Sequence, residues 1–317
     1  MRYKITLSYD GAPFCGWQRQ PDAPSVQEAL ETALQTLLGE PVPVTGAGRT
    51  DTGVSAVDYV AHFDARQELD AGHLACKLNA ILPVSIAVSK LEPAAPDFHA
   101  RFDARKRTYT YFLHRCKDPF LATRSYFYGY PEVDFEAMNK AAAMLVGTHD
   151  FSCFQKVGSD NKTTTCTVFE AGWQPYAPAG GTLASDPVRG STAHPSQPGG
   201  GAPRSEGNRG PRKSADVWGA HEGGTPLGGK VPPASPQYWF FRISADRFLR
   251  NMVRAIVGTL LEVGRGRRSL EEFAALILPP APNASGAGIA PKNSPSRRCL
   301  AGESAPGHAL FLTAIEY

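Results

Sequence analysis

Apolar and polar residues alternate from Arg2 to Tyr9, with Tyr3, Ile5, Leu7 and Tyr9 on one side, which is the period-two pattern of a strand buried on one face. Asp10, Gly11 and Pro13 end it. The period then lengthens. Leu30, Ala33, Leu34, Leu37 and Leu38 recur at helical spacing behind Ser25, which has Glu28 at the capping-box offset, so the pattern predicts a helix over Val26–Leu38. A strand at Val42–Thr45, a glycine-rich loop, a strand at Val57–Phe63, a helix at Leu69–Asn79 and a strand at Ile86–Leu91 follow. The order is β-α-β-β-α-β, the split pattern of ferredoxin-like domains.

The second half repeats that order more loosely. Strands are expected at Arg107–Arg115, Thr163–Trp173, Tyr238–Ala245 and Ala309–Tyr317, with helices at Val133–Leu145, Phe248–Val263 and Leu270–Ile277. The expected fold class is α+β: two ferredoxin-like halves, 1–104 and 105–317, with a central cleft between them and the glycine loop at its floor. Two stretches interrupt the plan. Residues 177–237 are dense in Gly, Pro and Ser, and a shorter stretch at 279–296 resembles them, so both are expected to be flexible insertions.

Charge changes this picture little. Lys and Arg number 33 against 30 Asp and Glu, a net charge of +3, so any nucleic-acid role must come from local clusters. The six cysteines lie far apart, without Cys-x-x-Cys or histidines at ligand spacing, and neither a disulfide framework nor a metal site is expected. The longest apolar run, Met252–Val263, is broken by Arg254 and too short to cross a bilayer. A soluble cytoplasmic protein is expected.

Candidate chemistry concentrates in Gly46-Ala47-Gly48-Arg49-Thr50-Asp51-Thr52-Gly53. Glycines let a backbone turn tightly and approach a ligand closely. The third glycine comes too late for Gly-x-Gly-x-x-Gly, no Gly-Lys-Ser/Thr follows, and a strand follows where a phosphate-binding loop would open a helix. Asp51 beside Arg49 is a candidate nucleophile or general base, or else an aspartate bonded to its own turn. Arg250 and Arg254 flank the apolar stripe of the Phe248–Val263 helix; a guanidinium there needs an anion, a structural carboxylate or a route to solvent. Tyr109 and Tyr111 share one face of their strand, either as core or as a stacking platform.

These fragments together resemble the bacterial tRNA pseudouridine synthase A family. The resemblance is carried by Tyr9-Asp10-Gly11, Gly16-Trp17-Gln18, Ser25-Val26-Gln27, the loop from Gly46 to Val54, Leu78-Asn79 with Leu82-Pro83, and Phe98-His99-Ala100-Arg101-Phe102. Arg107 with Tyr109 and Tyr111, His149-Asp150-Phe151, and Phe248 with Met252-Val253-Arg254 and Ile256-Val257-Gly258 complete it. It runs in order from Tyr3 to Tyr317 and departs at Ser55 and Tyr59, where the family usually has His and often has Gln.

The resemblance implies an isomerase that converts uridine to pseudouridine at positions 38, 39 and 40 of the tRNA anticodon stem-loop, without cofactor or metal. It implies Asp51 as nucleophile, Tyr109 as the tyrosine on the target base, Arg254 as the partner of the aspartate, and Arg49 as the arginine that fills the space left by the flipped base. Arg101, Arg105, Lys106, Arg107, Arg247 and Arg250 are then candidates for phosphate contacts. A homodimer is implied as well. The alternative is a non-catalytic tRNA-binding module on the same fold; a nucleotide-binding enzyme using the glycine loop is a weaker rival.

Overall fold

The computed structural model describes residues 1–159, 163–177, 236–277 and 300–317. The expected insertions at 177–237 and 279–296 therefore lie almost wholly outside the described residues. The first part of the chain forms β1 (Arg2–Tyr9), α1 (Val26–Leu38), β2 (Thr45–Gly46), β3 (Ser55–Asp64), α2 (Ala71–Ile81) and β4 (Ile86–Pro93). The remainder forms β5 (Lys106–His114), β6 (Tyr126–Phe127), α3 (Phe135–Ala143), β7 (Gly147–Asp150), β8 (Thr165–Pro175), β9 (Tyr238–Ala245), α4 (Met252–Gly264), α5 (Leu270–Ala274) and β10 (Leu310–Glu316).

The strands make a single sheet in the order β4-β1-β3-β10-β5-β9-β8-β7, with β2 also paired to β3 and β6 to β5. Pairing is mostly antiparallel. The last strand does not close the second half at an edge. It lies in the middle, parallel to β3 through Phe311–Ser55 and Leu312–Ala56, and antiparallel to β5 from Leu310–Tyr111 to Glu316–Lys106. Helices pack on this sheet and on one another: α2 against β4, α3 against β8 and α4, and α1 against α2.

Local chemistry explains most boundaries. Ser25 caps α1 by accepting from the Glu28 N–H at 3.3 Å, and Gly39, at φ 76°, ends it in the left-handed region. Glu28 itself reaches Arg19 at 3.6 Å. β2 is shorter than expected and begins at Thr45, because side chains take up the Val44 backbone: its N–H donates to Glu31 Oε1 and its carbonyl accepts from Gln27, both at 3.0 Å. α4 begins at Met252 and not at Phe248. Asn251 sits at φ 67°, a left-handed conformation that no helix can continue through, so Arg250 lies in the turn ahead of the helix.

β6 and β7 carry too few residues to stand out as periodic runs, and neither was expected. Gly258 settles where the segment before β10 runs. A Cβ on this residue would lie 1.7 Å from the Glu303 carbonyl oxygen, so α4 and residues 303–305 touch backbone to backbone. Gly258→Ala is expected to lower unfolding free energy by about 3 kcal/mol, the upper end for overpacking, in urea denaturation. Gly72→Ala is the control, since its Cβ would meet nothing nearer than 3.6 Å within α2. It should change stability by less than about 1 kcal/mol, in the stabilising direction.

Candidate active site

Asp51 stands on a loop that is gripped from three sides. A Cβ on Gly11 would fall 2.2 Å from the Val54 carbonyl oxygen, one on Gly16 2.3 Å from that of Thr50, and one on Gly307 2.4 Å from that of Thr52. Only glycines allow the loop ends of β1, α1 and β10 to approach this closely. Side chains complete the grip. The buried Thr50 hydroxyl shares a hydrogen bond of 2.9 Å with the Tyr9 hydroxyl and accepts from the Trp17 N–H at 3.2 Å. The loop backbone is closed by Val54 N–H to the Asp51 carbonyl at 3.1 Å.

Ser55 and Tyr59 belong to the same support. Ser55 is buried and its hydroxyl accepts from the Gly11 N–H at 3.0 Å, while the fully buried Tyr59 accepts from the Gly48 N–H at 3.1 Å. Both face inward, and both hold the glycine loop.

Arg254 reaches the carboxylate from the opposite wall, its Nη1 3.5 Å from Asp51 Oδ2. Its Nε donates to the Ala305 carbonyl at 2.7 Å, and the Ala305 N–H donates back to the Arg254 carbonyl at 3.0 Å. The guanidinium is therefore aimed by the same 303–309 segment that touches the Asp51 loop at Gly307. Both members of the pair keep access to solvent, with side-chain exposures of 22% and 23%.

The pair lies in a cavity of about 790 Å³, lined also by Cys15, Gln18, Gln20, Arg49, Lys156, Arg250, Asn251 and Ser304. Among the described residues Asp51 is the only acid that lines the cavity, set among four cations: Arg49, Lys156, Arg250 and Arg254. Such a site attracts a polyanion and presents one carboxylate to it. Among the described residues no cluster of three His, Cys, Asp or Glu is arranged to hold a metal ion, and no helix is long and apolar enough to cross a membrane.

Tyr109 is buried and is not among the residues that line the cavity; its ring meets Phe248 edge-on at 5.1 Å. Burial first, and the Asp51 charge second, hold its phenol well above the ordinary value. The remaining arginines divide. Arg49 is exposed at the cavity rim and Arg250 lines it, while Arg101 and Arg105 are exposed on the approach to β5 and Arg247 is half-buried after β9.

Lys106 is engaged with Glu316 at 3.0 Å. Arg107, expected among the phosphate contacts, is turned inward. Its guanidinium donates to the carbonyls of Asp246 (2.8 Å), Arg101 (2.8 Å), Ala47 (3.0 Å) and Ala104 (3.3 Å), which leaves it a clasp between chain segments. Lys156 was not singled out in the sequence. It follows a short 3-10 turn, Ser152–Phe154, and its N–H is held by the Arg250 carbonyl at 2.9 Å, a placement that only the folded chain reveals.

A family model described as tRNA pseudouridine synthase matches residues 5–103 and 141–317. The chain belongs to the tRNA pseudouridine synthase family. It is 40% identical to tRNA pseudouridine synthase A of Parabacteroides distasonis over 318 residues, covering 100% of this chain and 96% of the relative. It is 41% identical to the protein of the same name from Bacteroides thetaiotaomicron, covering 100% and 90%, and 37% identical to that of Neisseria gonorrhoeae, covering 87% and 83%. Tyr109 and Arg107 fall between the two stretches matched by the family model and are spanned by the full-length relatives. Membership makes the chain an isomerase of the pseudouridine synthase type.

The electrostatic link between Tyr109 and Asp51 is open to measurement in this synthase. Folding raises the phenol pKa, so its contribution to stability is intact below the unfolded value of about 10 and is lost as pH rises through the folded value. Asp51→Asn removes one cause of the rise and leaves burial. Tyr109 ionisation, followed by ultraviolet difference absorbance with Tyr109→Phe to assign the signal, should begin at lower pH in Asp51→Asn than in wild type. An unchanged onset would mean that the two groups do not sense each other.

Proposed function

We propose that this chain isomerises uridine to pseudouridine at positions 38, 39 and 40 of the tRNA anticodon stem-loop, with Asp51 as the nucleophile. The observation that carries the reading is the Asp51–Arg254 pair at 3.5 Å inside a cavity whose other charged lining groups, among the described residues, are all cationic. A carboxylate alone among cations suits a reaction on a polyanion in which one nucleophile is needed and no hydride or phosphate moves. The isomerisation breaks the N1–C1′ bond, turns the uracil and joins C5 to C1′, with the C5 proton lost to a base or solvent and one proton gained at N1.

Asp51 attacks at C6 or at C1′. Arg254 holds its carboxylate in line and compensates its charge while the base occupies the cavity. Tyr109 offers its ring to the uracil. Reaching the uridine within a stem-loop requires extruding the base, and Arg49 at the rim fills the vacated space. Arg250, Lys156, Arg101, Arg105 and Arg247 supply positive charge for the RNA backbone, the first two from inside the cavity.

The same reading takes residues 1–104 and 105–317 as two ferredoxin-like halves. It is supported by strand orders that correspond, with β4-β1-β3-β2 on one side and β10-β5-β9-β8 on the other. A homodimer acting in the cytoplasm on tRNA completes the proposal.

Tritium release from tRNA labelled at uracil C5 tests it directly. Wild type should release tritium, and Asp51→Ala should release none while binding tRNA with affinity within a few-fold of wild type, because a nucleophile contributes to the transition state more than to ground-state binding. Binding by both proteins without release from either would make the chain a tRNA-binding module. Arg254→Gln, which removes the charge and the terminal guanidinium nitrogens but keeps a polar side chain, should retain the fold by circular dichroism and lose at least about a hundredfold in rate, the scale for one preorganised electrostatic contact.

A further inference from the structure

The carboxylate and its cations leave unexplained Gln18, which lines the cavity, and Gln27, the glutamine it bonds. Gln27, in the first turn of α1, makes four hydrogen bonds through its side-chain amide. Its Oε1 accepts from the Arg19 backbone N–H and from Gln18 Nε2, each at 3.0 Å, and its Nε2 donates to the Val44 carbonyl and to Glu31 Oε1, also at 3.0 Å. Two of these partners are backbone groups of fixed polarity. An N–H only donates and a carbonyl only accepts, so the Gln27 amide has a single orientation.

That orientation is passed on. With Gln27 presenting oxygen, Gln18 must present its nitrogen to it, which turns the Gln18 oxygen outward. Arg49 Nε donates to this oxygen at 3.4 Å. The neighbouring Arg19 is occupied elsewhere, with guanidinium nitrogens 3.6 Å from Glu28 and from Glu31. The amide chain from α1 therefore ends on the one guanidinium that stands beside Asp51 in the loop.

We propose that Gln18 is a positioning residue for Arg49, a neutral acceptor that holds the guanidinium at the cavity rim and releases it when RNA enters. The proposal rests on the part given above to Arg49 in base extrusion. Neutrality is what the part requires. With an amide oxygen only the donor is charged; a carboxylate at this position would add a full ion pair and would retain Arg49 against its move toward the RNA. The bond at 3.4 Å is long for N–H to O, which suits a contact that is made to be given up. A weak tether still matters, because an unrestrained arginine loses more side-chain freedom when it inserts.

Single-turnover rates on tRNA, at enzyme concentrations that saturate binding, test this with Gln18→Ala, Arg49→Ala, the double variant and Gln18→Glu. Gln18→Ala should slow the reaction by up to roughly tenfold, the scale of the side-chain freedom lost when one long side chain is ordered. The double variant should be no slower than Arg49→Ala alone, since a residue that acts through Arg49 has nothing left to act on. Gln18→Glu should be slower than Gln18→Ala, and added salt should restore part of its rate by screening the new ion pair. A merely structural Gln18 would give none of that salt dependence, and melting temperatures of all four variants identify any loss that comes from folding. Multiplying losses in the double variant, or a Gln18→Glu protein as fast as wild type, would overturn the proposal. Absence of product from wild type would instead remove the proposed function, and this proposal with it.

Discussion

β10 occupies the slot between β3 and β5, pairing with the start of β3 on one side and along β5 on the other, and the geometry of the cavity follows from that pairing. The parallel contact at Ser55 and Ala56 comes just after the Asp51 loop, so the hydrogen-bond ladder that holds β10 also holds the end of that loop. The residues leading into β10 then have no freedom of their own. They press Gly307 against Thr52, bond Ala305 to Arg254 at both of its backbone groups, and lay Glu303 on Gly258 of α4. Carboxylate and guanidinium come from remote parts of the chain, and a single short segment sets both.

Ion pairs open to water contribute little to stability, and the Asp51–Arg254 pair keeps solvent access on both sides. Its geometry is therefore maintained by the surrounding backbone and not by the attraction between the charges. This is the condition under which a carboxylate can be offered to a substrate, since the loop keeps its shape when the pair rearranges. The buried tyrosine behaves in the opposite way. Tyr109 is fixed by packing against Phe248, and burial keeps its proton in place.

Much of this was legible in the sequence because periodicity reports burial. The strands β1, β5 and β9 and the helices α1 to α3 lie within a few residues of their expected positions, and Asp51, Arg49 and Arg254 do share one cavity. Arg107 was misread for a physical reason: a guanidinium that bonds four carbonyls looks, in a basic stretch of sequence, like one that awaits phosphate. Lys156 escaped notice because a loop lysine has no periodicity to betray it. Ser55 and Tyr59 are held by hydrogen bonds to Gly11 and Gly48 that no strand pattern could disclose. The central place of β10 was hidden for a related reason, since alternation marks a strand but does not name its neighbours.

The β3–β10 contact also sets a sequence of events. The two strands lie near opposite ends of the chain, and drawing such remote segments together carries a greater entropic cost than closing a hairpin. The β1–β3, β1–β4 and β8–β9 pairings need far shorter closures and can form while the Asp51 loop is still unclasped. Secondary structure thus accumulates before competence does. Without the β3–β10 contact the shorter-range pairings can still stand, but the Asp51 loop loses its clasp at Gly307 and the cavity its shape.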